Sequence, residues 1–158
     1  MGLQSYIRLL DQANALVAHD IWALFQRAYQ TEAGIVGTPE FPPLNRSIED
    51  IRSTEALFYG LFENGTLIAV SETQTDGECL SIDSFVVDPQ FFRKGFGSCL
   101  LRFILDESGC DSAAVATGTK NEPAIRFYEK FGFNEIDRWE AAEGMQIVKL
   151  SAKLHDYT

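Results

Sequence analysis

The sequence contains only three cysteines and two histidines, residue types on which disulfide frameworks and many metal sites depend. Cys79, Cys99 and Cys110 form no Cys-x-x-Cys pair, and their odd number favours free thiols in a reducing cytoplasm. A nucleophilic cysteine is the alternative. The histidines, His19 and His155, lie away from every motif described below, so we predict neither a zinc site nor a Cys–His dyad.

Basic residues are also scarce, with 13 Lys and Arg against 23 Asp and Glu and a formal net charge of −10. Nucleic-acid-binding proteins normally present a basic face, so this class of partner is disfavoured. No apolar run approaches the roughly 20 residues of a membrane helix, and no signal peptide is evident. We therefore expect a cytoplasmic protein with no nucleic-acid or membrane partner. The acidic surface either confers solubility alone or also attracts a cationic amine.

What is present suits one folded domain. The chain has 158 residues, of which 46% are hydrophobic and 12% aromatic. A domain of this length buries roughly 70% of the surface that its unfolded chain exposes, so a proper core is expected. No repeat, low-complexity tract or long linker divides the chain, and we predict a single domain over residues 1–158, either a monomer or a homodimer.

The first half of the chain carries signals for helices and hairpins. Apolar residues from Val17 to Ala28 recur at helical spacing, and the Gly- and Pro-rich residues 34–44 predict a loop. Ser47 followed by Asp50 resembles a capping box and predicts a short helix. Tight turns at Asn64-Gly65 and Asp76-Gly77 separate three predicted strands. With a first strand at residues 5–9, the predicted strands are residues 56–62, 66–73 and 79–87.

The second half alternates helix and strand. A helix opens at Gly95-Phe96-Gly97 and ends near Gly109, and a strand follows over residues 112–117. Asn121 caps the next helix, Gly132 ends it, and strands at residues 133–139 and 145–154 complete the pattern. A strand, a loop, a helix and a second strand in succession imply a crossover between parallel strands. The fold class predicted is therefore α+β (mixed α/β), with a mixed sheet and helices on its faces.

One loop carries the features of an anion site. In VDPQFFRKGFGS, residues 87–98, a strand delivers the chain to a Gly-x-Gly loop at the start of a helix, where unpaired amides and a partial positive charge favour phosphate. The loop lacks the third glycine of the dinucleotide-binding fingerprint, since position 100 is Leu100, and it lacks the Gly-Lys-Ser/Thr of a P-loop.

Two segments resemble the GNAT acetyltransferases. Residues 80–101, LSIDSFVVDPQFFRKGFGSCLL, are similar to the acetyl-CoA motif of that family, and residues 121–133, NEPAIRFYEKFGF, resemble its next helix. The resemblance implies the GNAT fold, a central, mostly antiparallel sheet that is splayed at the cofactor strand. The chain departs from the motif at one point, because Phe92 stands where the family has Arg or Gln, and Arg93 comes one place later.

The resemblance also implies how acetyl-CoA is held. Loop amides would wrap the pyrophosphate, and the strand end would pair with the pantetheine arm as an added strand. Asn121 resembles a residue that hydrogen-bonds this arm, and capping the helix is its other role. The full predicted set is Phe85, Val86, Val87, Arg93, Lys94, Gly95, Phe96, Gly97, Ser98, Asn121, Ala124, Phe127 and Tyr128.

Direct transfer to an amine needs a proton donor for the thiolate and a route for the amine's proton. Tyr128 matches the family's proton donor, and a core aromatic is its alternative role. Asp83 is the first candidate for the base, and period-two alternation puts it on one face with Phe85 and Val87. Glu72 is the second candidate, and a water chain is the third. A solvated carboxylate is the alternative for Asp83.

The predicted function is N-acetylation of a primary amine, on a small molecule or a peptide, with acetyl-CoA as cosubstrate and no metal. Acceptor specificity is expected in residues 28–44 and in the turn before Met145, with Tyr29, Phe41, Pro42 and Pro43 as a partly apolar wall. The alternatives are a noncatalytic acyl-CoA-binding module on the same fold and an interaction subunit.

Overall fold

The structure, a computed structural model, describes residues 4–37, 42–142 and 144–154. Within these residues seven strands form one sheet. They are β1 (Ser5–Leu9), β2 (Leu57–Glu63), β3 (Thr66–Asp76), β4 (Cys79–Val87), β5 (Ser112–Gly118), β6 (Asn134–Ala142) and β7 (Met145–Lys153). The sixth strand, expected to end at Trp139, continues to Ala142, which pairs with Met145 of β7.

The sheet is mixed and mostly antiparallel, as predicted. Its strand order is β1-β2-β3-β4-β5-β7-β6, in which β4 and β5 pair in parallel and the other neighbouring pairs are antiparallel. Asn64 and Gly65 form the β2–β3 turn with φ angles of 52° and 81°. Both angles lie in the left-handed region, which Asn and Gly enter at least cost, so the predicted hairpin is confirmed.

Helices cover both faces of the sheet, which confirms the predicted layers. They are α1 (Ala15–Val36), α2 (Ile48–Ser53), α3 (Phe96–Ser108) and α4 (Glu122–Glu129). Helices α1 and α2 bury Leu24, Phe25 and Ile51 in one core, whereas α3 and α4 bury Leu100 and Tyr128 in the other. Among the described residues, no helix combines the length and apolarity that crossing a membrane requires.

Helix α1 is longer than the sequence indicates. The predicted loop begins at Gly34, but the helix passes through Gly34 and ends at the cap Gly37, whose φ is 76°. The amide of Gly37 donates to the carbonyl of Ala33 over 2.9 Å. Glycine within a helix costs only about 1 kcal/mol relative to alanine, which a well-formed glycine cap and packing of the helix can offset.

A β-bulge at Asp83 changes which side chains of β4 share a face. Glu72 of β3 pairs with Ser84 and Thr73 pairs with Ile82, so Asp83 has no partner residue in this register. Ile82 before the bulge and Phe85 after it therefore both pack in the α3–α4 core. The expectation that Asp83 shares a face with Phe85 and Val87 is wrong, because the extra residue reverses the alternation.

Strands β4 and β5 separate soon after they begin. Their parallel pairing runs from Cys79 with Ser112 to Ile82 with Val115 and ends at the bulge. Strand β5 remains paired with β7 over its whole length. The second half of β4 thus has a neighbour on the β3 side only, and the predicted splay of the sheet is present.

A buried ion pair fastens the segment before α2 to the sheet. Arg46 donates to both carboxylate oxygens of Glu72, with N–O distances of 2.6 and 2.8 Å. The hydroxyl of Ser84 donates to the same carboxylate over 2.8 Å. The Glu72 side chain is 5% exposed and that of Arg46 is 25% exposed. A carboxylate buried to this degree depends on its partner, because an unpaired charge there would be poorly solvated.

Arg46→Met should therefore lower the free energy of unfolding by about 3 kcal/mol, since it leaves the Glu72 charge uncompensated. Urea denaturation measures this loss. Arg126→Met is the matched control, because Arg126 faces Glu122 at 3.8 Å with both side chains mostly exposed. A surface pair of this kind contributes about 0.3–0.5 kcal/mol. Equal losses in the two variants would contradict the structural importance of the buried pair.

Candidate active site

The loop between β4 and α3 is shaped by two left-handed residues. After a short 3₁₀ turn at Pro89–Phe91, Arg93 has a φ of 62° and Gly95 has a φ of 84°. Gly95 is the N-cap of α3 and accepts from the amide of Cys99. The amides at the start of α3, including those of Gly97 and Ser98, precede any intrahelical partner and remain able to bind a ligand. This geometry suits an anion.

Asp88 fixes the start of this loop. One of its carboxylate oxygens accepts the amide of Gln90 over 3.0 Å, and the other accepts Nε of Arg27 over 3.0 Å. The backbone amide of Asp88 donates to the carbonyl of Ile68 over 2.7 Å. One buried aspartate thus joins the loop to the sheet and to α1.

A cavity of about 540 Å³ follows the loop, and we call it the loop cavity. All the residues predicted to hold acetyl-CoA line it except Lys94. The ammonium of Lys94 lies 5.5 Å from the ring centroid of Phe91 instead. Phe92, which replaces the family's Arg or Gln, also lines the cavity and is 45% exposed. Arg93 is therefore the basic side chain of the loop that reaches this cavity.

Gly97 lies where the helix packs closely against the strand. A Cβ built at Gly97 would lie 3.3 Å from Cγ2 of Val87 and 3.6 Å from ring atoms of Phe127. The first distance is tighter than ordinary van der Waals contact, so Val87 must give way to a larger residue here, and Gly97 also lines the loop cavity. The small residue therefore keeps the amide end of α3 accessible.

A second cavity, of about 610 Å³, opens where β4 and β5 separate, and we call it the splay cavity. The strand residues that line it include Asp83 on β4 and Thr117 on β5, and Lys120 and Gln146 lie near its rim. Tyr29, Pro42 and Pro43, three of the residues predicted to form an acceptor wall, line it as well. The fourth, Phe41, lies outside the described residues.

The two cavities meet at a shared wall. The residues that line both are Tyr29, Glu32, Phe85, Ala124 and Tyr128, which we call the junction. Tyr128 is 5% exposed, and its ring lies edge-on to that of Phe85 with centroids 6.2 Å apart. Burial raises the pKa of the Tyr128 phenol, and the nearby Glu32 carboxylate raises it further. Tyr128 therefore holds its proton at neutral pH.

The two predicted carboxylates differ in surroundings. Asp83 is exposed and accepts hydrogen bonds from Nε2 of Gln74 over 2.8 Å and from the hydroxyl of Ser81 over 2.9 Å. Glu72 is buried, but its two oxygens are occupied by Arg46 and Ser84. The Glu72 carboxylate instead supports the junction, because Ser84 is also hydrogen-bonded to Tyr29.

Glu32 is the junction residue that sequence reasoning missed. It lies on α1, and its Oε1 accepts Nδ2 of Asn121 over 2.9 Å. Asn121 is 5% exposed, and its own oxygen caps α4 by accepting the amide of Ala124, which confirms the predicted cap. The available signal was spacing, since Glu32 follows Ala28 by one helical turn and so continues the apolar face of α1 with a carboxylate.

Comparisons with known proteins identify the family of the chain. The pattern of the Acetyltransferase (GNAT) family matches residues 18–133, which includes both segments that carried the resemblance. The chain belongs to the GNAT family of acetyltransferases. The family and fold expected from the sequence are therefore confirmed.

Two curated relatives match this chain over only part of their own length. The chain is 34% identical over 140 residues to the UPF0157 protein YqkA of Bacillus subtilis strain 168, covering 88% of this chain and 41% of that protein. It is 30% identical over 98 residues to the ribosomal protein bS18-alanine N-acetyltransferase of Escherichia coli strain K12, covering 60% of this chain and 66% of that one. The chain thus spans less than two thirds of each relative's length.

Solved structures share the fold. The ribosomal-protein-S18-alanine N-acetyltransferase of Escherichia coli has a TM-score of 0.75 and 24% identity, over 95% of this chain and 94% of that one. The PaiA N-acetyltransferase of Thermoplasma acidophilum, solved in complex with coenzyme A, has a TM-score of 0.76 and 18% identity, over 96% and 99% of the two chains.

Gly97→Glu should abolish binding of coenzyme A, because a carboxylate would then occupy the anion site. Calorimetric titration with coenzyme A measures the affinity. Gly34→Glu is the matched control, since it adds the same charge at an exposed helical position with nothing within 4 Å of its new Cβ. Unchanged affinity in a folded Gly97→Glu variant would contradict the assignment of this loop.

The Glu32 carboxyl makes stability depend on pH. Burial raises the pKa of Glu32 above its ordinary value of 4.5, and the hydrogen bond from Asn121 opposes this shift. The folded state therefore favours the protonated acid, so the stability linked to this group is complete below pH 4.5 and is lost as the pH rises through the pKa of the folded state.

Glu32→Gln removes this loss while keeping an acceptor for Asn121. We therefore expect the melting temperature of the variant, relative to the wild type, to increase between pH 4.5 and 7. Glu107→Gln makes the same substitution at an exposed position of α3 and serves as the control. Thermal denaturation across this pH range tests the sign, and a relative melting temperature that falls with pH would contradict a buried, destabilised carboxylate.

Proposed function

We propose that the protein transfers the acetyl group of acetyl-CoA directly to a primary amine of an acceptor. The observation that carries the proposal is the junction, where the loop cavity meets the splay cavity. A direct transfer requires two substrates that enter separately and meet at one point, and the junction provides one buried proton donor at that point.

The loop cavity suits the acetyl donor. The GNAT family uses acetyl-CoA, and its relative from Thermoplasma acidophilum was solved with coenzyme A. Loop amides and the positive end of α3 fit a pyrophosphate, and Arg93 adds a positive charge. The β4 backbone beyond the bulge, which lacks a β5 partner, can hydrogen-bond the pantetheine arm.

Tyr128 suits the role of general acid. Its phenol is buried, remains protonated and lines both cavities. When the thioester bond breaks, a proton from this hydroxyl would neutralise the departing thiolate of coenzyme A. Donors placed where charge develops act more strongly in a site that excludes water.

The splay cavity suits the acceptor, for which we propose a small-molecule or peptide amine. The Escherichia coli relative is named as an N-acetyltransferase of an alanine in ribosomal protein bS18, which makes a peptide amine the first choice to test. The net charge of −10 favours the approach of a cationic amine. A single domain over residues 1–158, a cytoplasmic location, and a monomer or homodimer as the assembly all stay predictions.

The decisive test follows thiol release from acetyl-CoA with a panel of amines. The panel contains a hexapeptide with N-terminal alanine, the same peptide with a blocked N-terminus, a lysine amide and spermidine. Turnover with one of the amines supports the proposal. Calorimetric binding of coenzyme A with no thiol release from any amine would instead support a noncatalytic acyl-CoA-binding module.

Tyr128→Phe should reduce kcat by about 10²–10⁴-fold, the range typical of general acid catalysis. The ring packing is retained, so stability and the affinity for coenzyme A should change little, because the lost interaction belongs mainly to the transition state. An acetyl thioester with a more acidic thiol should narrow the difference. Wild-type turnover by the variant, with chemistry rate-limiting, would leave Tyr128 as a packing residue.

A further inference from the structure

We propose that Glu32 is the catalytic residue that binds the acceptor ammonium in the splay cavity and takes its proton before the amine attacks. This inference rests on the proposed function, because it assigns the base of the same transfer. It is carried by the position of Glu32 in the wall that the two cavities share.

The surroundings of the Glu32 carboxylate suit a cationic ligand. The Oε1 atom is held by Asn121 at 2.9 Å, which fixes the carboxylate against α4. No ion pair within the described ranges involves Glu32, in contrast to Glu72, which is neutralised by Arg46. A partly buried carboxylate without a cationic partner gains most from an ammonium ion brought into contact with it.

The groups around Glu32 determine how it titrates. On its own helix Tyr29 faces it, and Tyr128 faces it from α4. The other ionisable groups of the splay cavity are Asp83 on β4 and Lys120 before α4, and those of the loop cavity are Arg93 and Lys130. Burial raises the pKa of Glu32 toward the range in which a carboxylate both accepts and releases a proton readily.

The proton balance closes with these residues. The ammonium gives one proton to the Glu32 carboxylate, and the neutral amine forms the carbon–nitrogen bond while the carbon–sulfur bond breaks. Tyr128 gives its proton to the thiolate, and the nitrogen loses its second proton, which restores the Tyr128 phenol through solvent. Glu32 then releases its proton to solvent. The net products are the amide, coenzyme A as the thiol, and one proton.

Asp83 is the rival base, and the two carboxylates differ in ways that matter for this step. Asp83 is exposed and lines the splay cavity alone, whereas Glu32 is partly buried and also lines the loop cavity. The attacked carbonyl must lie where the two cavities meet. Glu32, at this junction, is therefore better placed than Asp83 to take the proton of the attacking amine. This comparison favours Glu32.

The test compares Glu32→Gln, Glu32→Asp, Asp83→Asn and the surface control Asp20→Asn, each with the panel amine that the wild type turns over fastest. We expect Glu32→Gln to lower kcat/KM by about 10²–10⁴-fold near neutral pH. The deficit should shrink as the pH rises to 9, because the free amine then forms without a base. Affinity for coenzyme A should stay within about twofold of the wild type.

Several outcomes decide between Glu32 and Asp83 as the base. Partial activity of Glu32→Asp, which keeps a carboxylate, supports the proposal even if Glu32→Gln folds poorly. A pH-dependent deficit in Asp83→Asn with full activity in Glu32→Gln overturns it, and so does a Glu32→Gln deficit that is constant with pH. If the wild type acetylates none of the amines, the proposed function fails and the role of Glu32 fails with it, whereas an active wild type and an active Glu32→Gln contradict Glu32 alone.

Discussion

The parting of β4 from β5 is the constraint on which the site depends. The two strands share hydrogen bonds over four residues of each and then diverge at the bulge around Asp83. A parallel strand pair interrupted in this way exposes backbone groups of β4 that a neighbouring strand would otherwise hydrogen-bond. The same divergence opens the splay cavity. The gap in the sheet therefore provides space for both the acetyl donor and the acceptor of the proposed reaction. The loop geometry at Gly95 and the helix packing at Gly97 place the anion site at the far end of that gap.

Local signals made much of this fold predictable. The Asn64-Gly65 turn, the Ser47 capping box with Asp50 and the cap at Asn121 each depend on residues within three positions of one another. The loop from β4 to α3 was likewise recognisable, because its glycines and the helix start are contiguous. Such features follow from local backbone chemistry and need no knowledge of the tertiary structure.

The features that were missed depend on distant contacts. The bulge at Asp83 follows from registry with β3, which alternation along β4 cannot reveal. Helix α1 continues through Gly34 to the cap at Gly37, and its residue Ile35 lines the loop cavity, whereas propensity alone favours an earlier end. Glu32 meets Asn121 across a separation of 89 residues, so its place in the junction is a property of the assembled sheet and helices.

Helix α1 lines both cavities and is attached to the rest of the site at two points. Arg27 ties it to Asp88 at the start of the loop, and Glu32 ties it to Asn121 at the start of α4. These two attachments are about 7.5 Å apart along one rigid helix, so a displacement of α1 alters both cavities together. A ligand that displaced α1 from either side would change the affinity of the other cavity, and thermodynamic reciprocity would require the two effects to be equal. Helix α1 is thus a wall common to the loop cavity and the splay cavity, so movement of this one helix would change both.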